Sequence, residues 1–234
     1  MSMKKIGRRE LLGGLGAAAG AALAIGCGSS SPTSPTDTSS SGTTTTGSTN
    51  AACAVTPSET AGPYPSLTDI FRSDIREGKA GTMLTLTVKV VNVNAGCAAI
   101  PNANVEVWHC DSAGNYSEYG NQTAQTYLRG IQTTNNSGEV TFTTIYPGWY
   151  QGRATHIHIE VSTNGASRKI TQIAFPESVN STVYRSGVYA SRGSNPTSNL
   201  SDGIFADSLS AELVTPTGDP SSGYAASCQV AVAV

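Results

Sequence analysis

Charge is scarce in this chain of 234 residues: 13% of it is charged, 14 Lys+Arg stand against 16 Asp+Glu, and the formal net charge is -2. No basic run is long enough to hold a phosphate backbone, which excludes nucleic acid as a partner. Histidine and methionine occur three times each. The five cysteines never form a C-x-x-C pair, so a cysteine-ligated metal site is a poor reading. Long helix-period stretches and internal repeats are missing, which excludes a helical bundle and a repeat array. A membrane-spanning run is missing as well. The one candidate, in "MKKIGRRELLGGLGAAAGAALAIGC", is too short and too rich in glycine to cross a bilayer comfortably.

That N-terminal stretch has a basic start, an apolar middle and small residues before Cys27, the layout of an export signal over residues 1–27. Arg8-Arg9 followed by Glu10-Leu11-Leu12 resembles a twin-arginine signal. "LAIGC" resembles a lipobox, in which Cys27 would carry lipid and hold the protein on a membrane surface; a plain secretory signal cut nearby is the alternative. Residues 28–50, "GSSSPTSPTDTSSSGTTTTGSTN", hold no apolar group whose burial could offset their ordering entropy, and read as a disordered Ser/Thr/Gly/Pro tether. The folded domain is expected over 51–234, long enough to bury a core unaided. The protein is therefore expected in the cell envelope, the periplasm or outside the cell. That setting is oxidising. With Cys27 set aside, Cys53, Cys97, Cys110 and Cys228 point to two disulfides of open pairing. A hairpin of 84–94 with 103–109 would hold Cys97 and Cys110 too far apart for a bridge.

Within 51–234 the apolar residues alternate. "MLTLTVKVVNVN" (83–94), "NVEVWH" (104–109), "GEVTFTTIY" (138–146), "ATHIHIEV" (154–161) and "RKITQIAF" (168–175) read as strands with one buried face. "DSAGN" (111–115) is a turn. A short helix is expected over Thr68–Glu77, and the chain beyond Pro176 reads as loop-rich. The expected fold is all-β, an antiparallel β-sandwich.

Chemistry concentrates in "GWYQGRATHIH" (148–158). His156 and His158 share a strand face, and that spacing lets two imidazoles meet one ion, although any solvated strand face has it too. Tyr116 follows the "DSAGN" turn, and Tyr150 follows "IYPG". Phenolate is a hard anionic donor and imidazole a good donor to iron. Two phenolates and one hydroxide would balance Fe(III), whose charge holds tyrosine ionised below its ordinary pKa; zinc more often recruits Cys, His or carboxylate.

Four stretches, "TPSETAGPYP" (56–65), "PNANVEVWHCDSAGNYS" (101–117), "LRGIQTTNNSGEVTFTTIYPGWYQGRATHIHIEV" (128–161) and "ITQIAF" (170–175), together resemble the intradiol ring-cleavage dioxygenases, a catechol/protocatechuate dioxygenase-like family. The resemblance implies a β-sandwich holding non-haem Fe(III) on Tyr116, Tyr150, His156 and His158. It makes Tyr150, Arg153 and Gln172 catalytic, with Tyr64, Arg153 and Gln172 against the substrate, a small aromatic diol that reacts with O2. The diol would displace Tyr150 from the metal, Tyr150 would take a proton, Arg153 would stabilise anionic intermediates, and the product would be a cis,cis-muconate-type diacid. Tyr119 is read as a packing tyrosine, His109 as structural, and Arg129 as a pocket residue or a brace for the turn. Catechol-type members carry a helical dimerisation region where this chain has its signal and tether, so the chain resembles a short exported branch, and a homo-oligomer is left open. Two rival functions remain at this stage. One is a metal-free β-sandwich binding module on a lipid tether. The other is a zinc or cupin-like enzyme built on His109, His156 and His158.

Overall fold

The computed structural model describes residues 53–234; the expected signal, the tether and Cys27 lie outside the described residues. The alternation of β1 (Met83–Asn92) buries Leu84, Leu86, Val88 and Val90 completely and leaves Thr85, Thr87 and Lys89 half-buried. β1 is the spine of a first sheet. It pairs antiparallel with β2 (Ala98–Ala99) and β5 (Glu139–Ile145), and parallel with β9 (Gly223–Val232), which also holds β8 (Thr217–Asp219). The second sheet is antiparallel throughout, in the order β4 (Arg129–Thr133), β3 (Asn104–Trp108), β6 (His156–Thr163), β7 (Ala166–Ala174). Val105 and Val107 of β3 and Ile157, Ile159 and Val161 of β6 meet the β1 residues and Phe142 in one core between the sheets, which is an all-β sandwich. Among the described strands the β1–β9 pair departs from the antiparallel pattern.

The opposite face of the second sheet positions the chemistry. Cross-strand register sets Trp108 beside Arg129 and His158, and His158 beside Gln172, and paired residues share a face. This face is not open to solvent. An N-terminal strap, residues 56–75, crosses it without forming a regular element: Glu59 N–H donates to Ile170 O at 2.8 Å, Gln172 Nε2 to Thr60 O at 2.9 Å, and Arg129 Nη1 to Tyr64 O at 3.0 Å. The polar face of an ordinary sheet thus becomes a second, small interior.

Three sequence expectations are corrected. The stretch 68–77 is not a helix, because neighbouring strands take its backbone groups: Arg72 N–H donates to Ile131 O on β4, and Ile75 N–H to Thr143 O on β5, each at 3.0 Å, with Ile75 fully buried. Residues 84–94 and 103–109 do not form a hairpin, since β1 and β3 belong to different sheets. Among the described residues one disulfide forms rather than two. It joins Cys53 to Cys97, with Cα atoms 5.8 Å apart, and leaves Cys110 and Cys228 as thiols; these sit at the end of β3 and within β9, in different sheets. The part beyond Pro176 is loop-rich as expected, and carries α1 (Glu177–Val183), α2 (Leu209–Glu212) and the ten-residue β9 within it. β9, "GYAASCQVAV", is rich in alanine, which carries little strand signal.

Candidate active site

His156 opens β6, and His158 follows two residues on. Both are buried, at 2% and 1% exposure. His156 Nδ1 lies 2.6 Å from Ala154 O. A carbonyl only accepts, so Nδ1 carries the proton and Nε2 presents its lone pair. That Nε2 is 3.2 Å from His158 Nε2 and 3.3 Å from the Tyr116 hydroxyl. Three donor atoms therefore converge from two elements, β6 and the turn after β3. Tyr150 completes the group, with its ring 5.6 Å from that of His156 and 5.7 Å from that of Tyr116, edge-on to both.

Stacking orients His158. Trp108 lies parallel to it at 4.8 Å, with planes 4° apart. The strap closes on its edge at Gly62, where φ is +69° and a Cβ would stand 3.1 Å from His158 Cε1. Glycine suits that backbone conformation and that approach. Tyr64 follows on the strap and stacks on Tyr116 at 4.7 Å. Behind them Arg129, 1% exposed, donates from Nε to Ser117 Oγ (2.9 Å), from Nη2 to Ser117 O (2.8 Å) and from Nη1 to Tyr64 O. It braces the Tyr116 turn and the strap together, which settles its role as a brace. Gly148 lets the Tyr150 loop pass the "DSAGN" turn, since a Cβ there would lie 2.3 Å from Asp111 O.

Burial governs the electrostatics of these four groups. Burial pushes Tyr116 well above its ordinary pKa and raises Tyr150, an effect that Arg153 opposes. Burial, then the Arg153 charge, lowers His156 to about 3; burial, then His156 itself, lowers His158 well below its ordinary value. Burial thus favours the neutral form of all four groups, with the His156 Nε2 lone pair facing the Tyr116 hydroxyl. His158 Nδ1 is buried with no hydrogen-bond partner, so no protein acceptor dictates its tautomer. A multivalent cation reverses the cost on the phenols and uses the imidazole lone pairs. The described residues contain no group of three His, Cys, Asp or Glu, so a metal bound here must count the tyrosines among its ligands. Two imidazoles and two phenols suit Fe(III).

Other candidate residues fall where their chemistry requires. Gln172 is fully buried; its Oε1 accepts from Arg153 Nη2 at 2.5 Å and its Nε2 donates to Thr60 O. The Tyr119 hydroxyl donates to Pro65 O at 2.7 Å and so faces the strap, not the imidazoles. His109 does not join the site: Nδ1 donates to Cys110 O at 2.8 Å and Nε2 accepts from the Thr144 hydroxyl at 2.7 Å. The zinc reading thereby loses its third imidazole. A cavity of about 140 Å³ opens beside the rings, lined in part by Tyr64, Asn115, Tyr116 and Tyr119. Sequence reasoning missed Trp108, Gly62, Asn195 and Asp202. Trp108 had a signal, since its place on β3 puts it on the same face as Glu106, away from the core valines. Asp202 had none, because it reaches the site from the loop-rich C-terminal part.

The model of a dioxygenase family matches residues 64–192. The solved structure of an intradiol ring-cleavage dioxygenase from Tetranychus urticae superposes with a TM-score of 0.72 at 32% identity, over 77% of this chain and 95% of that one. The chain belongs to the intradiol ring-cleavage dioxygenases. As such it is an oxidoreductase whose chemistry is catechol-type ring cleavage. The dioxygenase domain of a dioxygenase–carbohydrate-binding fusion from Streptomyces sp. SirexAA-E matches over 77% of this chain and 99% of that one, at 25% identity and a TM-score of 0.59. Catechol 1,2-dioxygenase from Pseudomonas arvilla C-1, 18% identical with a TM-score of 0.57 over 76% of this chain and 62% of that one, shares the fold.

Proposed function

We propose that this dioxygenase cleaves a small aromatic diol between its two hydroxyl-bearing carbons with O2, giving a cis,cis-muconate-type diacid. Tyr116, Tyr150, His156 and His158 would hold a non-haem ferric ion. The observation that carries the reading is the convergence of His156 Nε2, His158 Nε2 and the Tyr116 hydroxyl within 3.3 Å in a buried pocket that leaves His158 Nδ1 unpartnered. When bound, the ion supplies Lewis-acid and template chemistry and the positive charge that keeps the phenols ionised.

The chain's own residues do the rest. Tyr150 is half-buried, so it has the freedom to accept a proton from a diol hydroxyl. Arg153, anchored on Asp202 and Gln172, stabilises negative charge that develops on the organic substrate. Tyr64 and Tyr116 wall the ring cavity, and the strap keeps water from the buried imidazoles. Export and lipid attachment at Cys27 belong to the same proposal and rest on "GRRELL" and "LAIGC" alone. The test is turnover of catechol under isotopically labelled O2. Both atoms of one O2 should appear in the two carboxylates of a single diacid; label in one carboxylate only, or a cleavage product that is an aldehyde, contradicts the reading.

A further inference from the structure

The loop 195–205 lies beyond the residues that the family model matches, yet it grips the segment that carries the pocket arginine and leads into the ligand histidine. Asn195 Nδ2 donates to Arg153 O at 3.0 Å and to Thr155 Oγ1 at 3.5 Å. Asp202, 1% exposed, takes Arg153 Nε at 2.8 Å and Ala154 N–H at 2.7 Å on one oxygen, Oδ2. Its other oxygen accepts from Ile204 N–H at 2.9 Å. The Phe205 ring lies 5.8 Å from the Arg153 guanidinium and 6.5 Å from the His156 ring.

We infer that Asp202, with Asn195, is a positioning residue that sets the pocket cation Arg153 and the imidazole of His156 at the same time. Two connections carry this. Ala154 gives its N–H to Asp202 and its carbonyl to His156 Nδ1 at 2.6 Å, so the carboxylate fixes the very peptide that orients the ring. Metal-ligating histidines depend on such a partner for tautomer and direction. Arg153, meanwhile, is stretched between two acceptors, Asp202 through Nε and Gln172 through Nη2, which aims its guanidinium. Every group facing the Asp202 carboxylate is an N–H donor. An asparagine has a single acceptor oxygen; one orientation sets an amide N–H₂ against Ile204 N–H, the other against Arg153 and Ala154. The substitution also removes the negative charge beside a guanidinium that is 14% exposed.

The inference rests on the proposed iron-dependent cleavage, and the experiment separates the two. Wild type, Asp202→Asn and Asn195→Ala are loaded with ferric iron. Iron per chain, the visible band with and without anaerobic catechol, kcat per bound iron and KM for catechol are then measured. The expected result for Asp202→Asn is a shifted band and a kcat per bound iron lower by about 10- to 100-fold. Asn195→Ala should move the same quantities in the same direction by less. A merely structural role would lower folded fraction and iron content together and leave band and kcat per bound iron at wild-type values; that result overturns the inference. If Asp202→Asn does not fold, Asn195→Ala, which keeps the carboxylate, decides on the same two readouts. A wild-type protein that binds no iron and cleaves no catechol overturns the functional reading, and the inference falls with it.

Discussion

Tyr116 and Tyr150 differ in freedom although both face the imidazoles. Tyr116 is 4% exposed, lies beneath Tyr64 and donates to His156; Tyr150 is half-buried. Tyr150→Phe should therefore keep iron but lower cleavage by about 10²- to 10⁴-fold, as for loss of a proton acceptor. Tyr116→Phe should lose iron or shift the visible band strongly. Tyr119→Phe breaks a bond to Pro65 O and should leave iron in place. Iron analysis and catechol turnover of the three variants side by side check this, and iron loss in Tyr119→Phe with full activity in Tyr150→Phe would sink the ligand assignment. His109 offers a separate test away from the metal ligands. Burial holds it down to about 4, so between pH 4 and its ordinary value the unfolded chain binds a proton that the folded chain does not. Stability is then fully present above about 6.5 and falls as pH falls toward 4. Urea unfolding of wild type should lose about 2 kcal/mol more than His109→Gln between pH 6.5 and 5. Equal losses would mean that His109 is not held neutral.

The strap, β6 and β9 show how legible individual elements were. β1 and β6 were plain, because Leu84 through Val90 and Ile157 through Val161 alternate strictly and their apolar sides fill the core. The pair His156/His158 could be placed on one face by the same alternation, but whether that face met solvent depended on the strap. The strap has no period of its own; its backbone bonds go to β4, β5, β7 and β9, strands distant in sequence. Phe71 and Ile75 therefore looked like part of a helical turn. β9 was missed because "GYAASCQVAV" mixes small residues with few β-branched ones, and its parallel partner β1 lies far away in the chain. Two predictions belong here. Ile159→Ala, which opens a hole between the sheets, should cost about 2–5 kcal/mol in denaturant unfolding. Replacing both Cys53 and Cys97 by serine frees the segment that leads into the strap and reopens a span of 44 residues, costing about 2–4 kcal/mol; an unchanged midpoint would mean that the bridge contributes nothing.

At the scale of the whole molecule, one domain folds over residues whose signal was strong, and the N-terminal quarter carries a different kind of information. The lipid reading stands on "LAIGC" and predicts metabolic labelling of wild type but not of Cys27→Ser; equal labelling rejects it. Among the described residues no helix is long and apolar enough to cross a membrane. The catalytic domain itself places three buried donors and the half-buried Tyr150 around one point, all four favoured in their neutral forms. The most direct measurement of that claim is the visible absorption spectrum of the purified protein, taken with iron analysis and repeated after anaerobic addition of catechol. One ferric ion per chain, a red-brown tyrosinate band, and a change of that band on adding catechol are predicted. A colourless protein carrying zinc, or a ferric protein whose spectrum ignores catechol, contradicts the account.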